Sequence, residues 1–455
     1  MKIGLLPLYI KLYDDNSPKM RPRLEEFYEK IAKKFEERGV EVVRTPFCRL
    51  EDEFRAAVGS YEQVDVDAIV TLHMAYSPSL MSIKALTETK LPIVVLDTTE
   101  TLEFTPETPS GEISYNHGIH GVMDMCSMLA RYEKPYAIVA GHYEYSDVIE
   151  RALGYVRAAI AAKNLSKIKC AILGDPFCGM GDFSVPDDEM KRRFGIEVLR
   201  PTVDEMKHYC DTVTDEEIDR QYATDLAAYE PCEDLDEAEY RENIRARLAV
   251  FKMLRDKDAS AFTVNFSATT GLPTMPFIAA CEGMRDGIGY AGEGDTLTSS
   301  FVGAFLTAYP ETNFVEIFCP DWKNNVLFLS HMGETNYRVA DLKPTLSRKK
   351  NKYGAEVCAY SANTRMMGGR GVYVNISRKK DDFMLLASEC EMLSVGEDNF
   401  KNSIRGWMKP AMSTAEFLEE HSRAGATHHS LFIYGATEGE VEFFGQLLGM
   451  DTVVI

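Results

Sequence analysis

The chain has 455 residues, of which 45% are hydrophobic, so it can bury more core than one compact domain usually holds and is expected to form two or three domains. Its formal charge of −21 argues against a nucleic-acid partner, because such proteins concentrate Lys and Arg to follow phosphates. No apolar run approaches the roughly 18 residues of a membrane span, so a membrane partner is not expected either.

The start of the chain is apolar only as far as Lys11 and lacks a cleavage pattern for a secretory signal. It is better explained as a first β-strand. The ten cysteines lie singly between Cys48 and Cys390, without a CxxC pair, which is typical of a reduced chain rather than a disulfide framework. The sequence therefore predicts a cytoplasmic protein.

The first part of the chain alternates helix-like and strand-like periods, a pattern typical of α/β layers around a mainly parallel sheet. One helix is predicted where apolar residues recur on a single face before the stop signal Gly39, at Leu24, Phe27, Tyr28, Ile31 and Phe35. Short apolar runs predict strands at residues 40–43, 68–72, 93–96 and 136–140. We expect a doubly wound α/β domain over residues 1–166.

A second doubly wound α/β domain is predicted over residues 167–311, where strand-like runs precede an acidic helix with the capping-box spacing Thr214 to Glu217. The acidic stretch of this helical region is better explained as a solvated face than as a binding tail. Beyond residue 312 the strand-like runs become denser, at 314–318, 326–330, 371–376 and 383–387. The expected fold is therefore two consecutive doubly wound α/β domains followed by a β-rich, barrel-like domain over residues 312–455.

Four segments after residue 285 each carry a side chain that can bind a metal, at residues 289–295, 313–318, 329–334 and 425–430. Together they offer two carboxylates and two imidazoles, from Glu293, Glu316, His331 and one of His428 and His429. Such a set suits a borderline divalent ion such as manganese or cobalt, and zinc would be less natural. The wide separation of these residues gives no local metal motif.

Each of these residues, taken alone, also has an ordinary structural explanation. Glu293 stands between two glycines and could end a turn. Glu316 interrupts an apolar strand-like run, where an unpaired buried carboxylate is costly, yet alternation along a strand could turn it to solvent. His331 and the doublet His428–His429 could be polar residues at strand ends. These alternatives stay open at the level of single residues.

Two other kinds of site are not predicted. Residues 287–292 satisfy the pattern GxGxxG, but they follow a helix-like segment rather than a strand, which argues against a dinucleotide site. The sequence contains no GxSxG elbow and no P-loop, and its cysteines and serines are dispersed without a local nucleophile signature.

In their order along the chain, the four segments resemble those of the L-arabinose isomerases and, more distantly, the L-fucose isomerases. AGEGD at 291–295 resembles that family's AGEGDW, and the other three are similar to its TSFME (312–316), SHM (330–332) and GGAHHTVF (425–432). Two upstream segments resemble LHTFSP (72–78) and NQTAHG (116–121). All six occur in the family's order over nearly the whole chain.

The resemblance implies a divalent-metal-dependent aldose–ketose isomerase that acts on a free pentose or hexose through an enediolate. Carried over residue by residue, it implies that the metal ligands are Glu293, Glu316, His331 and His429, with the two glutamates exchanging protons. It implies substrate contacts from His120, His428, Met180 and Phe266. The implied ion is Mn²⁺, with Co²⁺ or Mg²⁺ as alternatives. A homo-oligomer is also implied, a hexamer or else a trimer or tetramer, with active sites at subunit interfaces.

Three departures from the family pattern concern the choice of sugar. Thr296 stands where the family carries tryptophan, residues 331–336 depart from the HMLEV continuation, and residues 8–13 lack the usual SQxLYG. L-Fucose, D-arabinose or a 6-modified hexose such as a sulfosugar are therefore alternative substrates, and an anionic sugar would require a cationic pocket group. The rival from another class is a non-catalytic sugar-binding protein, because successive α/β domains with a cleft also describe solute-binding proteins.

Overall fold

The computed structural model describes residues 1–350, 355–380 and 382–455. The chain divides into two compact units, Met1–Ile160 and Ala161–Ile455. Within the described ranges, no helix is both long and apolar enough to cross a membrane.

The first unit is built on a five-stranded sheet in the order β2-β1-β3-β4-β5, in which every pair is parallel. Its strands are β1 (Lys2–Leu8), β2 (Glu41–Arg44), β3 (Ala68–His73), β4 (Ile93–Asp97) and β5 (Tyr136–Ala140). The helices between and after them are α1 (Lys11–Asn16), α2 (Arg21–Glu36), α3 (Glu51–Gln63), α4 (Ser79–Glu88), α5 (Ile113–Asn116), α6 (Ile119–Arg131) and α7 (Val148–Leu165). All five apolar positions predicted for the first amphipathic helix are buried in α2.

The second unit begins with a four-stranded parallel sheet in the order β7-β6-β8-β9. Its strands are β6 (Lys169–Leu173), β7 (Glu197–Leu199), β8 (Ala261–Val264) and β9 (Gly289–Tyr290). Its helices are α8 (Asp187–Phe194), α9 (Val203–Asp211), α10 (Asp215–Ala228), α11 (Glu237–Asp256), α12 (Phe277–Arg285) and α13 (Thr296–Leu306). The predicted capping box is present in α10, where the Thr214 side chain accepts from the backbone N–H of Glu217.

The remainder of the second unit is a closed antiparallel barrel. Its six strands pair in the ring β14-β17-β10-β11-β16-β15, closed by β14 against β15. They are β10 (Thr312–Asp321), β11 (Val326–Ser330), β14 (Gly369–Arg378), β15 (Phe383–Met392), β16 (Gly406–Pro410) and β17 (His429–Tyr434). The other elements are the hairpin β12 (Thr345–Arg348) and β13 (Tyr360–Asn363), helices α14 (Thr414–Ala424) and α15 (Glu438–Leu447), and β18 (Asp451–Val454), which extends the barrel sheet beside β15. The predicted fold class, parallel α/β sheets followed by a barrel, is confirmed.

Candidate metal centre

The register of the barrel brings two predicted ligands side by side. Glu316 in the middle of β10 lies directly opposite His429 on β17 and Ser330 on β11, and His331 follows Ser330. Side chains of residues paired in this way lie within contact distance on one face of a sheet. The His331 Nε2 atom is 3.7 Å from Glu316 Oε2.

Alternation along β10 decides which way Glu316 points. Phe314, two residues earlier and therefore on the same face, is fully buried, and its ring centroid lies 4.9 Å from that of His331 and 5.1 Å from that of His429. The Glu316 side chain is 20% exposed. It therefore lies beside the two imidazoles rather than on the solvent-facing side of the strand.

Glu293 reaches the same place from the parallel sheet, on the loop between β9 and α13. Its φ of 63° is uncommon for a residue other than glycine. This conformation is held from both sides, because the Glu293 N–H donates to the Val264 carbonyl (3.1 Å) and the Phe177 N–H donates to the Glu293 carbonyl (2.9 Å). At Gly294 a Cβ would lie 2.7 Å from Pro176 Cα, so only glycine fits there. The loop thus fixes the Glu293 carboxylate 3.7 Å from His429 Nε2.

Five side chains converge in two overlapping groups, Glu293–His428–His429 and Glu316–His331–His429, in each of which the nearest donor atoms all lie within 4.8 Å. Glu293 Oε2, His428 Nε2 and His429 Nε2 are buried without a hydrogen-bond partner among the described residues. Glu293 Oε2 lies 3.6 Å from His428 Nε2 and 3.7 Å from His429 Nε2, and both distances are too long for direct hydrogen bonds. Buried polar atoms are nearly always paired, so this arrangement fits a group held between them. Two carboxylates and several imidazoles are suitable donors for a divalent ion.

Two buried carboxylates orient the histidines of this cluster. Glu334 Oε2 lies 2.6 Å from His331 Nδ1, and Glu334 is itself held by the Tyr290 hydroxyl and the Gly333 N–H. Asp295 Oδ2 lies 3.0 Å from His429 Nδ1, while its Oδ1 accepts from the backbone N–H of Thr298 at the start of α13. In both cases the Nδ1 atom is occupied and Nε2 faces the cluster, which is the carboxylate–histidine arrangement common around protein-bound metals.

The third histidine, His428, also has a carboxylate on its Nδ1. Asp182 Oδ2 lies 2.6 Å from this nitrogen and accepts a second bond from the His428 backbone N–H at 3.1 Å. Burial opposes the charged imidazole, but the hydrogen bond to Asp182 and the nearby Glu293 carboxylate outweigh it and raise the pKa of His428 to about 10. The His428 side chain is 29% exposed, whereas that of His429 is fully buried.

The pKa values of the two glutamates are shifted in opposite directions. Burial raises the pKa of Glu316 above its ordinary value. Burial acts in the same direction on Glu293, but the nearby imidazoles of His428, His429 and His331 outweigh it and lower the pKa of Glu293. A pair of carboxylates in unequal environments is suited to taking up a proton and giving one back.

The three remaining predicted residues are not among these five side chains. Phe266 and Met180 follow strands β8 and β6 and are linked to the Glu293 loop through Phe177, whose ring stacks on Phe266 at 4.9 Å and whose carbonyl accepts from the Met180 N–H. His120 belongs to the first unit, in the first turn of α6, where it is exposed and its ring lies 5.9 Å from that of His117.

Sequence reasoning gave no role to Asp295, Glu334 or Asp182. The first two had a local signal, because each is a carboxylate two or three residues after a predicted ligand. Asp182 had none, since it precedes His428 by 246 residues and only the folded loop brings the two together.

Three domain families match the chain in order: the L-arabinose isomerase N-terminal domain on residues 18–167, the central domain on 185–308 and the C-terminal domain on 311–451. The L-arabinose isomerase of Shouchella clausii (strain KSM-K16) is 24% identical over 99% of this chain and 93% of its own length. The L-arabinose isomerase of Geobacillus kaustophilus (strain HTA426) is 26% identical over 91% of this chain and 85% of its own.

The solved structure of a solute-binding protein from Actinobacillus succinogenes with bound D-allose aligns with 68% of this chain and with 91% of its own chain. Its identity of 14% and TM-score of 0.18 carry no argument about fold or ligand. The three domain matches set aside the non-catalytic alternative. Since they follow one another over most of the chain, the protein belongs to the L-arabinose isomerase family and is an aldose–ketose isomerase.

Proposed function

We propose that this enzyme is a divalent-metal-dependent isomerase of a free pentose or hexose that works through an enediolate. The observation that carries the proposal is the convergence of Glu293, Glu316, His331 and His429 with two buried donor atoms, Glu293 Oε2 and His429 Nε2, unpaired among the described side chains. These four residues would hold the ion. Mn²⁺ is the proposed ion, with Co²⁺ or Mg²⁺ as alternatives, because the set mixes carboxylate and imidazole donors.

Conversion of an aldose into a ketose removes a proton from C2, adds one to C1 and moves the hydroxyl proton from O2 to O1. Groups that can take up and return protons are therefore needed beside these carbons. We assign the exchange to Glu293 and Glu316, the two carboxylates of the cluster. When bound, the ion supplies Lewis-acid stabilisation of the negative charge that develops on the sugar oxygens. His428, Met180 and Phe266 are proposed to contact the sugar.

L-Arabinose is the first candidate substrate, because the matched families and relatives carry that name. Thr296 in place of tryptophan and the altered segments at 8–13 and 331–336 keep L-fucose, D-arabinose and a 6-modified hexose such as a sulfosugar as alternatives. These departures leave the four proposed ligands in place, so they concern the choice of sugar rather than the chemistry.

We also propose a cytoplasmic homo-oligomer, a hexamer or else a trimer or tetramer, in which the first unit of a neighbouring subunit contributes His120 to the sugar pocket. Three domains, at residues 1–166, 167–311 and 312–455, are proposed for each subunit. All ten cysteines are free, as is usual in a reducing compartment. Sedimentation that finds a fully active monomer would contradict the shared site.

The test is a panel of aldoses assayed for ketose formation after chelation and after re-addition of Mn²⁺, Co²⁺ or Mg²⁺. The proposal expects activity with at least one pentose or hexose, lost on chelation and restored by metal. Undiminished turnover after complete metal removal would contradict metal dependence. The sugar with the highest kcat/KM identifies the substrate among the alternatives.

A further inference from the structure

The loop between β6 and α8 holds the histidine doublet through two adjacent residues. Asp182 accepts both the backbone N–H and the Nδ1 hydrogen of His428 on a single carboxylate oxygen, at 3.1 and 2.6 Å. Phe183, which is 1% exposed, stacks on the His429 ring with centroids 5.0 Å apart and planes 24° apart. One short stretch of the loop therefore fixes the backbone and the ring plane at the start of β17.

The bond to Asp182 determines what His428 offers to the site. In either protonation state the imidazole can give its Nδ1 hydrogen to the carboxylate, which leaves Nε2 as the nitrogen without a bond to Asp182. This Nε2 lies 3.6 Å from Glu293 Oε2, and in the part of the chain that the structure describes no hydrogen bond satisfies it. Because this buried Nε2 lacks a partner, a sugar hydroxyl bound next to Glu293 would supply its missing hydrogen bond.

We propose that Asp182 is a positioning residue for isomerisation, which holds His428 so that its Nε2 binds a substrate hydroxyl beside Glu293. This inference rests on the proposed function. Asp182 acts through His428, since its carboxylate oxygen Oδ2 is engaged with that residue and not with the cluster of metal-capable donors.

The solvent exposure of Asp182 argues that it positions His428 rather than stabilises the fold. Its side chain is 40% exposed, and hydrogen-bonded pairs with that much access to water contribute little to stability. The buried anchor of the loop is Phe183, which Asp182 substitutions leave in place. Loss of the carboxylate should therefore free the His428 ring to rotate while the fold persists.

The test compares kcat and KM for wild type, Asp182→Ala, Asp182→Asn, His428→Ala and the double variant Asp182→Ala/His428→Ala. Asp182→Ala should lower kcat/KM by roughly 10- to 100-fold, the range typical of partners that orient an active-site histidine. Asp182→Asn should recover most of this loss, because the amide oxygen can accept the same two hydrogen bonds. In the His428→Ala background, Asp182→Ala should add less than about two-fold, since its effect passes through the missing ring.

The matched control is Asp175→Ala on the same loop, whose side chain is 93% exposed and which should behave as wild type. Melting temperatures of all variants check that the fold persists, and Asp182→Leu, which also lacks a hydrogen-bond acceptor, replaces Asp182→Ala as the readout if that variant unfolds. Asp182→Ala activity equal to that of Asp175→Ala, additive losses in the double variant, or no recovery with asparagine would each overturn the inference. Failure of wild type to convert any aldose would instead overturn the proposed function.

Discussion

Buried histidines in the two units differ in what surrounds their ring nitrogens. In the second unit, His331 and His429 each have a carboxylate on Nδ1, and their Nε2 atoms face other donors. In the first unit, His73 ends β3 with both ring nitrogens buried and unbonded to any described residue, packed against Gly118 and Gly121 of the α6 region.

The electrostatic consequences are opposite. Burial lowers the pKa of His73 to about 3, so the ring stays neutral. Burial also disfavours the charged form of His331, but Glu334 outweighs it and raises the pKa of His331. Burial alone therefore gives a packed, neutral histidine, whereas a carboxylate on Nδ1 gives an oriented ring with its other nitrogen available to a ligand.

The largest expected effect follows from changing a carboxylate of the cluster itself. Glu316→Gln should abolish measurable isomerisation, because loss of a proton-transfer group typically costs about 10²- to 10⁴-fold and weakened metal retention adds to that. Without metal the variant should be as stable as wild type or more so, since two clustered carboxylates repel each other. Ketose formation, bound manganese and melting temperature measure the three effects.

The control for this variant is Glu311→Gln, an exposed glutamate just before β10, which should keep wild-type turnover. Near-normal activity of Glu316→Gln would mean that the site has been misplaced.

A smaller effect is expected from changing the two carboxylates that contact the Nδ1 atoms of His331 and His429. Glu334→Gln and Asp295→Asn should each weaken Mn²⁺ binding by roughly 10- to 100-fold, because the imidazoles lose the partner that orients them. Asparagine is also a good helix N-cap, so Asp295→Asn should preserve the start of α13. Calorimetric titration with Mn²⁺ measures the dissociation constants. Unchanged values would contradict the idea that a carboxylate on Nδ1 prepares His331 and His429, unlike His73, to bind a ligand.

The smallest effect is expected at His73 and depends on pH. Its folded pKa of about 3 lies below the ordinary value of 6.5, so the unfolded chain takes up the proton first and wild type loses stability as pH falls below 6.5. His73→Leu removes this pH-dependent loss. The melting temperature of the variant should therefore rise relative to that of wild type as the pH falls from about 7 to about 5. Asp124 on α6 acts on the ring in the opposite direction and is present in both proteins.

Calorimetric scans at both pH values measure the difference, with His208→Leu, an exposed histidine of α9, as the control for removing a histidine. A constant difference between His73→Leu and wild type would show that the pKa of His73 is not lowered in the folded protein.

Sequence patterns predicted the elements whose periodicity is strong. The apolar face of α2 and the strand β11 at Val326–Ser330 match their predictions, because burial on one side imposes a regular spacing. The hairpin β12–β13 and the last strand β18 were not predicted. They are four residues long each, too short for a clear period.

In the candidate site, too, sequence patterns predicted only what depends on local sequence. Local segments pointed to each glutamate and histidine singly, but their meeting depends on barrel register, which pairs Glu316 with His429 across two strands distant in sequence. Asp182 depends further on a loop that crosses from the parallel sheet to the barrel. Sequence spacing carries no information about such contacts, because they arise from how elements pack rather than from the elements themselves.

Equilibrium dialysis with Mn²⁺ tests whether one divalent ion is shared by Glu293, Glu316, His331 and His429. Wild type and the variant Glu293→Ala/His429→Ala are compared in the same buffer, with ketose formation followed in parallel. We expect about one ion per wild-type chain, greatly weakened binding in the variant, and activity that follows metal occupancy. Equal manganese binding by both proteins, or full activity of the wild type without metal, would contradict this expectation.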